Sequence, residues 1–175
     1  MSKVDSLIRA IKKGNIKRIK RIAKFCFGLN KEKINEPSYM YDYMNALTWA
    51  SYLGYYEIVK FLIEKGANVN YKYKASYTSQ PSGEFKATVF GRSPLIAATE
   101  KGHMEIVKYL IKNGADVNDY SSAQGLLSKY HYDSAMMDSN YHITPLKAAY
   151  IIGYLDIAKV LILNGAYCEE SDLTK

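Results

Sequence analysis

Three histidines (His103, His131 and His142) and two cysteines (Cys26 and Cys168) have the widest chemical reach in this chain. His131 and His142 lie in "KYHYD" and "DSNYH", close in sequence to Asp133 and Asp138. Residues of these types can hold a metal ion or move a proton. Neither segment has a recognised ligand spacing, so a surface or packing role is expected, with no metal and no other cofactor. The cysteines form neither a metal-type pair nor a disulfide framework and read as reduced thiols, with Cys26 on the apolar side of its helix. The chain has no G-x-S-x-G turn, no phosphate-binding glycine-rich loop and no zinc pattern, so no enzymatic activity is expected.

Charge is the next candidate signal. The net charge is +7, yet residues 1–33 alone hold eleven Lys/Arg and two acids, and the rest of the chain sums to −2. In "IKRIKRIAKFCF", helical spacing places Ile16, Ile19, Ile22, Ala23 and Cys26 on one side. Lys17, Lys20, Arg21 and Lys24 fall on the opposite side, with Arg18 flanking them. Such a stripe can meet the phosphates of nucleic acid, an anionic membrane surface or an acidic protein patch. The competing reading is a polar end face that keeps a stacked protein soluble. No aromatic residues interleave the stripe as they do on single-strand-binding surfaces, so nucleic acid is disfavoured and an acidic protein patch preferred.

The remaining totals are those of a soluble globular chain, 48% hydrophobic and 23% charged. The opening "MSKVDSLIRAIKKGN" lacks the continuous apolar core of a signal peptide, and no run reaches the length of a membrane span. A cytoplasmic protein with no transmembrane segment is expected.

The elements that position these residues emerge from self-comparison. "DSLIRAIKKGNIKRI", "NALTWASYLGYYEIV", "SPLIAATEKGHMEIV" and "TPLKAAYIIGYLDIA" share Leu at the third position, Ala at the sixth and Gly at the tenth. The last three continue alike, as "KFLIEKGANVN", "KYLIKNGADVN" and "KVLILNGAYCE". Ser93 and Thr144 are good N-caps, and Pro94 and Pro145 follow at the first helical position, where a missing N–H costs nothing. A short first helix therefore stops at the glycine. A second helix follows, apolar at Ile106, Val107, Leu110 and Ile111, with Gly114 just past its end. Such a pair cannot bury its apolar side alone, so neighbouring pairs must stack.

These segments resemble ankyrin repeats, whose signature is a T-P-L-H-x-A helix start. The resemblance implies an all-α ankyrin-repeat solenoid of stacked helix-turn-helix pairs, as one domain over residues 1–175. Repeats are expected at about 4–37, 45–70, 91–118 and 143–170, the first a divergent N-terminal cap. The signature His is replaced by Ile8, Thr48, Ile96 and Lys147. Ala46 stands where the third and fourth segments have Pro, which predicts a looser lead-in turn there. His103, at the Gly-His position, is expected to serve the turn between helices.

The equivalent glycines are 40, 48 and 51 residues apart, against a family period of about 33. The excess falls into insertions at about 28–44, 71–90 and 119–141, where ankyrin arrays carry their projecting finger loops. Long connections of this kind cost little stability. Residues 71–90 alternate as Tyr71, Tyr73, Ala75, Tyr77 and then Phe85, Ala87, Val89 around "QPSGE", which predicts a β-hairpin. Ten of the seventeen tyrosines lie in the insertions, and tyrosine gives large contact area at small entropic cost. Two readings stay open together: fingers packed on each other, and tyrosines anchoring a partner.

The resemblance implies a non-catalytic protein–protein interaction module that uses its concave face and fingers, monomeric when free. The candidate anchors are Tyr41, Tyr43, Tyr73, Tyr77, Phe85, Tyr130 and Tyr132. Stand-alone proteins of this kind include effectors delivered into a host cell and immunity proteins that neutralise a toxin. The alternative is electrostatic attachment to nucleic acid or an anionic membrane through the basic N-terminal pair.

Overall fold

Hydrogen-bonded caps fix where the inner helices begin. Ser93 Oγ accepts from the Ile96 N–H at 3.4 Å, and Thr144 Oγ1 accepts from the Lys147 N–H at 3.2 Å. Pro94 and Pro145 take the first helical position behind them. The lead-in turn before Ala46 is not looser for want of proline. Buried Asn45 Oδ1 accepts from both the N–H and the hydroxyl of Thr48, each at 2.9 Å. Thr48, standing where the signature has His, thus supplies a second bond to the cap.

The computed structural model describes residues 3–22, 24, 34–38, 44–79, 85–122 and 142–167, with the backbone alone for 75–79, 85–90 and 122. Eight of the helices among the described residues form four pairs: α1 (Lys3–Lys12) with α2 (Ile16–Ile22), α3 (Ala46–Leu53) with α4 (Tyr56–Glu64), α5 (Pro94–Glu100) with α6 (Met104–Lys112), and α7 (Pro145–Ile152) with α8 (Leu155–Leu163). Strands β1 (Lys74–Ser79) and β2 (Phe85–Phe90) lie between the second and third pairs. Strands β3 (Ser121–Ser122) and β4 (His142–Ile143) lie between the third and fourth.

One apolar cluster runs through all four pairs, from Leu7 and Ile11 through Leu47 and Leu62, then Leu95 and Leu110, to Leu146 and Leu161. The first helices α1, α3, α5 and α7 pack closely side by side, because Ala10, Ala50, Ala98 and Ala149 let their backbones approach. The second helices meet their neighbours far less. Close packing on one side and loose packing on the other curves the stack, with the first helices on the concave side.

The turns between paired helices also join adjacent pairs. Gly54 has φ of +79°, and a Cβ built there would lie 2.5 Å from His103 Cε1. His103 Nε2 in turn lies 3.1 Å from the Tyr52 carbonyl oxygen. Tyr154 sits on Gly102 in the same way, 2.8 Å from a built Cβ. His103 therefore serves the turn, as expected, by packing onto the preceding pair.

A second junction is a ladder of asparagines. Asn70 donates from Nδ2 to the Gly114 carbonyl at 2.9 Å, and its Oδ1 accepts from the Asp116 N–H at 2.8 Å. Asn35 does the same towards Gly66 and Asn68, and Asn118 towards Gly165 and Tyr167. Each asparagine satisfies the loop after the next pair's second helix.

Candidate functional site

The hairpin expected between the second and third pairs is present. β1 and β2 are antiparallel, and the register pairs Tyr77 with Ala87 and Ser79 with Phe85. The strand begins at Lys74, three residues later than the tyrosine alternation suggested, because Tyr71–Tyr73 form the base of the finger instead. That base is closed by the Gly91 N–H, which donates to the Tyr73 carbonyl at 2.7 Å. An antiparallel pair also joins the start of the third insertion to the residues that follow it, Ser121 with Ile143 and Ser122 with His142.

The two finger bases are tied to each other. Lys72 Nζ meets Asp119 Oδ1 at 2.5 Å, donates to the Tyr120 carbonyl at 3.1 Å, and stands 4.0 Å from the Tyr120 ring centroid. His142 also meets that ring, with centroids 4.5 Å apart. Burial pushes the His142 pKa below the usual imidazole value, and the positive charges of Lys72 and Lys147 push it the same way. Tyr120, one of the insertion tyrosines, is thus half-buried between the fingers.

The fifth, eighth and ninth positions of the aligned segments run along the first-helix side of the stack, the fifth buried in all but the first pair. One column reads Arg9, Trp49, Ala97, Ala148; the next reads Lys12, Tyr52, Glu100, Ile151; the third reads Lys13, Leu53, Lys101, Ile152. Contacts join neighbouring columns, both within a helix and from pair to pair. Lys12 Nζ lies 4.5 Å from the Trp49 ring centroid, Trp49 meets Tyr52 edge-on at 5.7 Å, and Lys101 Nζ lies 4.4 Å from Tyr52. Glu100 is held by Arg92, whose Nε donates to both carboxylate oxygens at 3.0 and 2.9 Å. Burial raises the Glu100 pKa above the usual carboxylate value, against the opposing pull of Arg92 and Lys101.

The face therefore changes chemistry along its length: cationic on the first pair, aromatic on the second, charged on the third and aliphatic on the fourth. On the first pair Arg9, Lys12 and Lys13 are exposed, while the nearby Asp5 is buried and bonded to Ser38 Oγ. The basic stripe continues on α2, where Lys17, Lys20 and Arg21 are exposed, as is Lys24 just beyond. Ile19 is buried beneath that stripe, with Ile16 and Ile22 half-buried against the core.

Of the seven candidate anchors, Tyr73 is half-buried at the hairpin base, and Tyr77 and Phe85 are placed by backbone on β1 and β2. Tyr41, Tyr43, Tyr130 and Tyr132 lie outside the described residues, as do His131, Asp133, Asp138, Cys26 and Cys168. The groove residues Lys12, Trp49, Tyr52 and Ile151 were not among the sequence candidates. Reading the eighth position of the four aligned segments as a column, rather than looking only at the insertions, brings out Lys12, Tyr52, Glu100 and Ile151.

The family model for ankyrin repeats, in three copies, matches residues 3–73 and 75–172. The chain belongs to the ankyrin repeat family, whose members generally work as protein–protein interaction modules. Comparison with the curated proteins gives no match. None of the helices among the described residues is long and apolar enough to cross a membrane.

Proposed function

We propose that residues 1–175 form one non-catalytic module that binds a protein partner through the concave face and the enlarged fingers. The observation that carries this reading is the linkage of the finger bases by Lys72, Asp119, Tyr120 and His142. Fingers joined at their roots present a stiffer platform than separate loops, so less ordering entropy is lost on binding. Tyr73, Tyr77 and Phe85 of the second finger, with Tyr41, Tyr43, Tyr130 and Tyr132 of the others, supply anchors on that platform. A role as an effector or as a toxin-neutralising immunity protein is consistent with such a module, which acts monomerically in the cytoplasm or inside a host cell.

The basic N-terminal pair supports a second reading, attachment to nucleic acid or an anionic membrane through Lys17, Lys20, Arg21 and Lys24. All four side chains are exposed on one end of the stack.

One comparison separates the two. Tyr73 and Gly91 are already hydrogen-bonded, so an Asn-Gly turn can replace residues 74–90 without disturbing Lys72. Affinity capture from the source cells is run with the intact chain, this shortened chain, and a chain carrying charge reversal at Lys17, Lys20, Arg21 and Lys24. The first reading expects the partner to be lost with the hairpin and kept after charge reversal. Equal recovery by the shortened chain, together with loss on charge reversal and a steep salt dependence, overturns it in favour of the second.

A further inference from the structure

The concave face has a direction, and that direction specifies a ligand. We infer that the groove takes an extended, polarity-segregated peptide, its acidic end on the first helix pair and its apolar end on the fourth. The inference rests on the concave face being a protein-binding surface and goes further by naming the chemistry and orientation of what it binds.

Charge complementarity decides the acidic end. Arg9 and Lys12 on α1 and Lys13 just past its end are exposed together, and the one carboxylate of the helix, Asp5, is turned inward to Ser38. The exposed Arg9 and Lys13 keep the surface around the end of α1 cationic. On the third pair, Glu100 is buried and matched by Arg92, so the middle of the groove does not repel an acidic chain. The fourth pair offers Ile151 and Ile152, both half-buried. A partner acidic throughout would leave that end uncovered, and one apolar throughout would leave the first pair's cations desolvated without compensation.

Length follows from geometry. Adjacent packed helices lie about 8–10 Å apart, so three steps from the first pair to the fourth span roughly 25–30 Å. An extended chain rises about 3.3 Å per residue, which makes the bound segment about eight or nine residues. Trp49 lies under Lys12 near the start of this path and is the only tryptophan of the chain. Its fluorescence is a built-in reporter of an acidic group drawing Lys12 away from the ring.

The test titrates the full chain with synthetic ten-residue peptides, reading Trp49 emission. The probes are a peptide with four glutamates at one end and Leu, Phe and Leu at the other, its reversed sequence, an alternating scramble of the same composition, and a ten-nucleotide oligothymidylate. One of the two segregated peptides is expected to bind at least tenfold more tightly than the scramble. Lys12→Glu with Lys13→Glu, and separately Ile151→Ser with Ile152→Ser, are each expected to weaken it tenfold or more. Charge reversal at Lys17, Lys20 and Arg21 on α2 is expected to change it less than about threefold, because those side chains leave the groove. Each variant is checked for native helicity by circular dichroism.

Equal binding of the scramble, absence of binding by either segregated peptide, or equal sensitivity to the α2 reversal overturns the inference. Binding of the oligothymidylate as tightly as the segregated peptide identifies a general polyanion site instead. If no peptide binds yet partner capture still depends on the hairpin, the groove inference falls and the proposed function stands. If a segregated peptide binds while the hairpin-less chain keeps its partner, the role of the finger falls and the groove inference stands.

Discussion

Replacing Arg92 with alanine strands a carboxylate in the core of the concave face. The Glu100 side chain is 5% exposed, and its two oxygens share the single Arg92 Nε–H at 3.0 and 2.9 Å. Burial already raises its pKa, so the ionised form is tolerated only because Arg92 faces it. Removing one partner of a buried ion pair costs roughly 3–5 kcal/mol; the Arg92 side chain is 26% exposed, which places this pair at the lower end, about 3 kcal/mol. For a chain of this size that lowers Tm by about 6–12 °C. The deficit has a pH signature. A carboxylate whose folded pKa is raised takes up a proton on folding between its folded and unfolded values. The cost of its charged form is therefore present at neutral pH and relieved as pH falls through the folded value towards 4.5. Arg92→Ala is expected to be most damaging at pH 7 and least at pH 4.5, and Glu100→Gln in the same chain is expected to restore at least half of the lost stability. Urea unfolding of the four chains of the cycle at both pH values measures this. A loss below about 0.5 kcal/mol at pH 7, or a double variant no more stable than Arg92→Ala, refutes the reasoning.

Three further outcomes are expected. Gly54→Ala forces a side chain into φ of +79° and against the His103 ring, and a loss of about 2–4 kcal/mol is expected in thermal unfolding. Ser51→Ala removes a buried hydroxyl that makes no hydrogen bond among the described residues, so a gain of about 1 kcal/mol is expected from the same measurement. His142, with its folded pKa below that of the unfolded chain, contributes stability that is present above pH 6.5 and lost as pH falls through the folded value. Urea midpoints between pH 7.5 and 5 should show this fall, and His142→Gln should flatten it.

The scaffold was legible because its constraints are local and repeated. Leu, Ala and Gly recur at fixed offsets, and Ser93–Pro94 and Thr144–Pro145 mark helix starts by chemistry that acts within four residues. The hairpin was legible for the same reason, since alternation and a turn segment are neighbours in sequence. Its start was misplaced because Tyr71 and Tyr73 continue the alternation while belonging to the base. The asparagine ladder was not read: Asn70 bonds groups 44 and 46 positions away, and nothing near it in the sequence names those partners. Asn45 shows the limit of a motif rule, because an asparagine with a threonine behind it ties a helix start that lacks proline. The groove was hidden for a different reason. Lys12, Trp49 and Tyr52 lie in separate repeats, and only the close packing of the first helices brings them into one line. Tyr120 resembled the candidate anchors by composition, yet its ring lies between Lys72 and His142, joining one finger to the next.

Hydrogen exchange of the chain with and without its captured protein partner tests the central claim most directly. Protection is expected at the hairpin base and strands, residues 71–79 and 85–91, at 119–122, and at the exposed ends of α1 and α3 along the groove. Protection confined to residues 16–24 of the basic stripe, with the hairpin and groove exchanging at their free rates, contradicts the account.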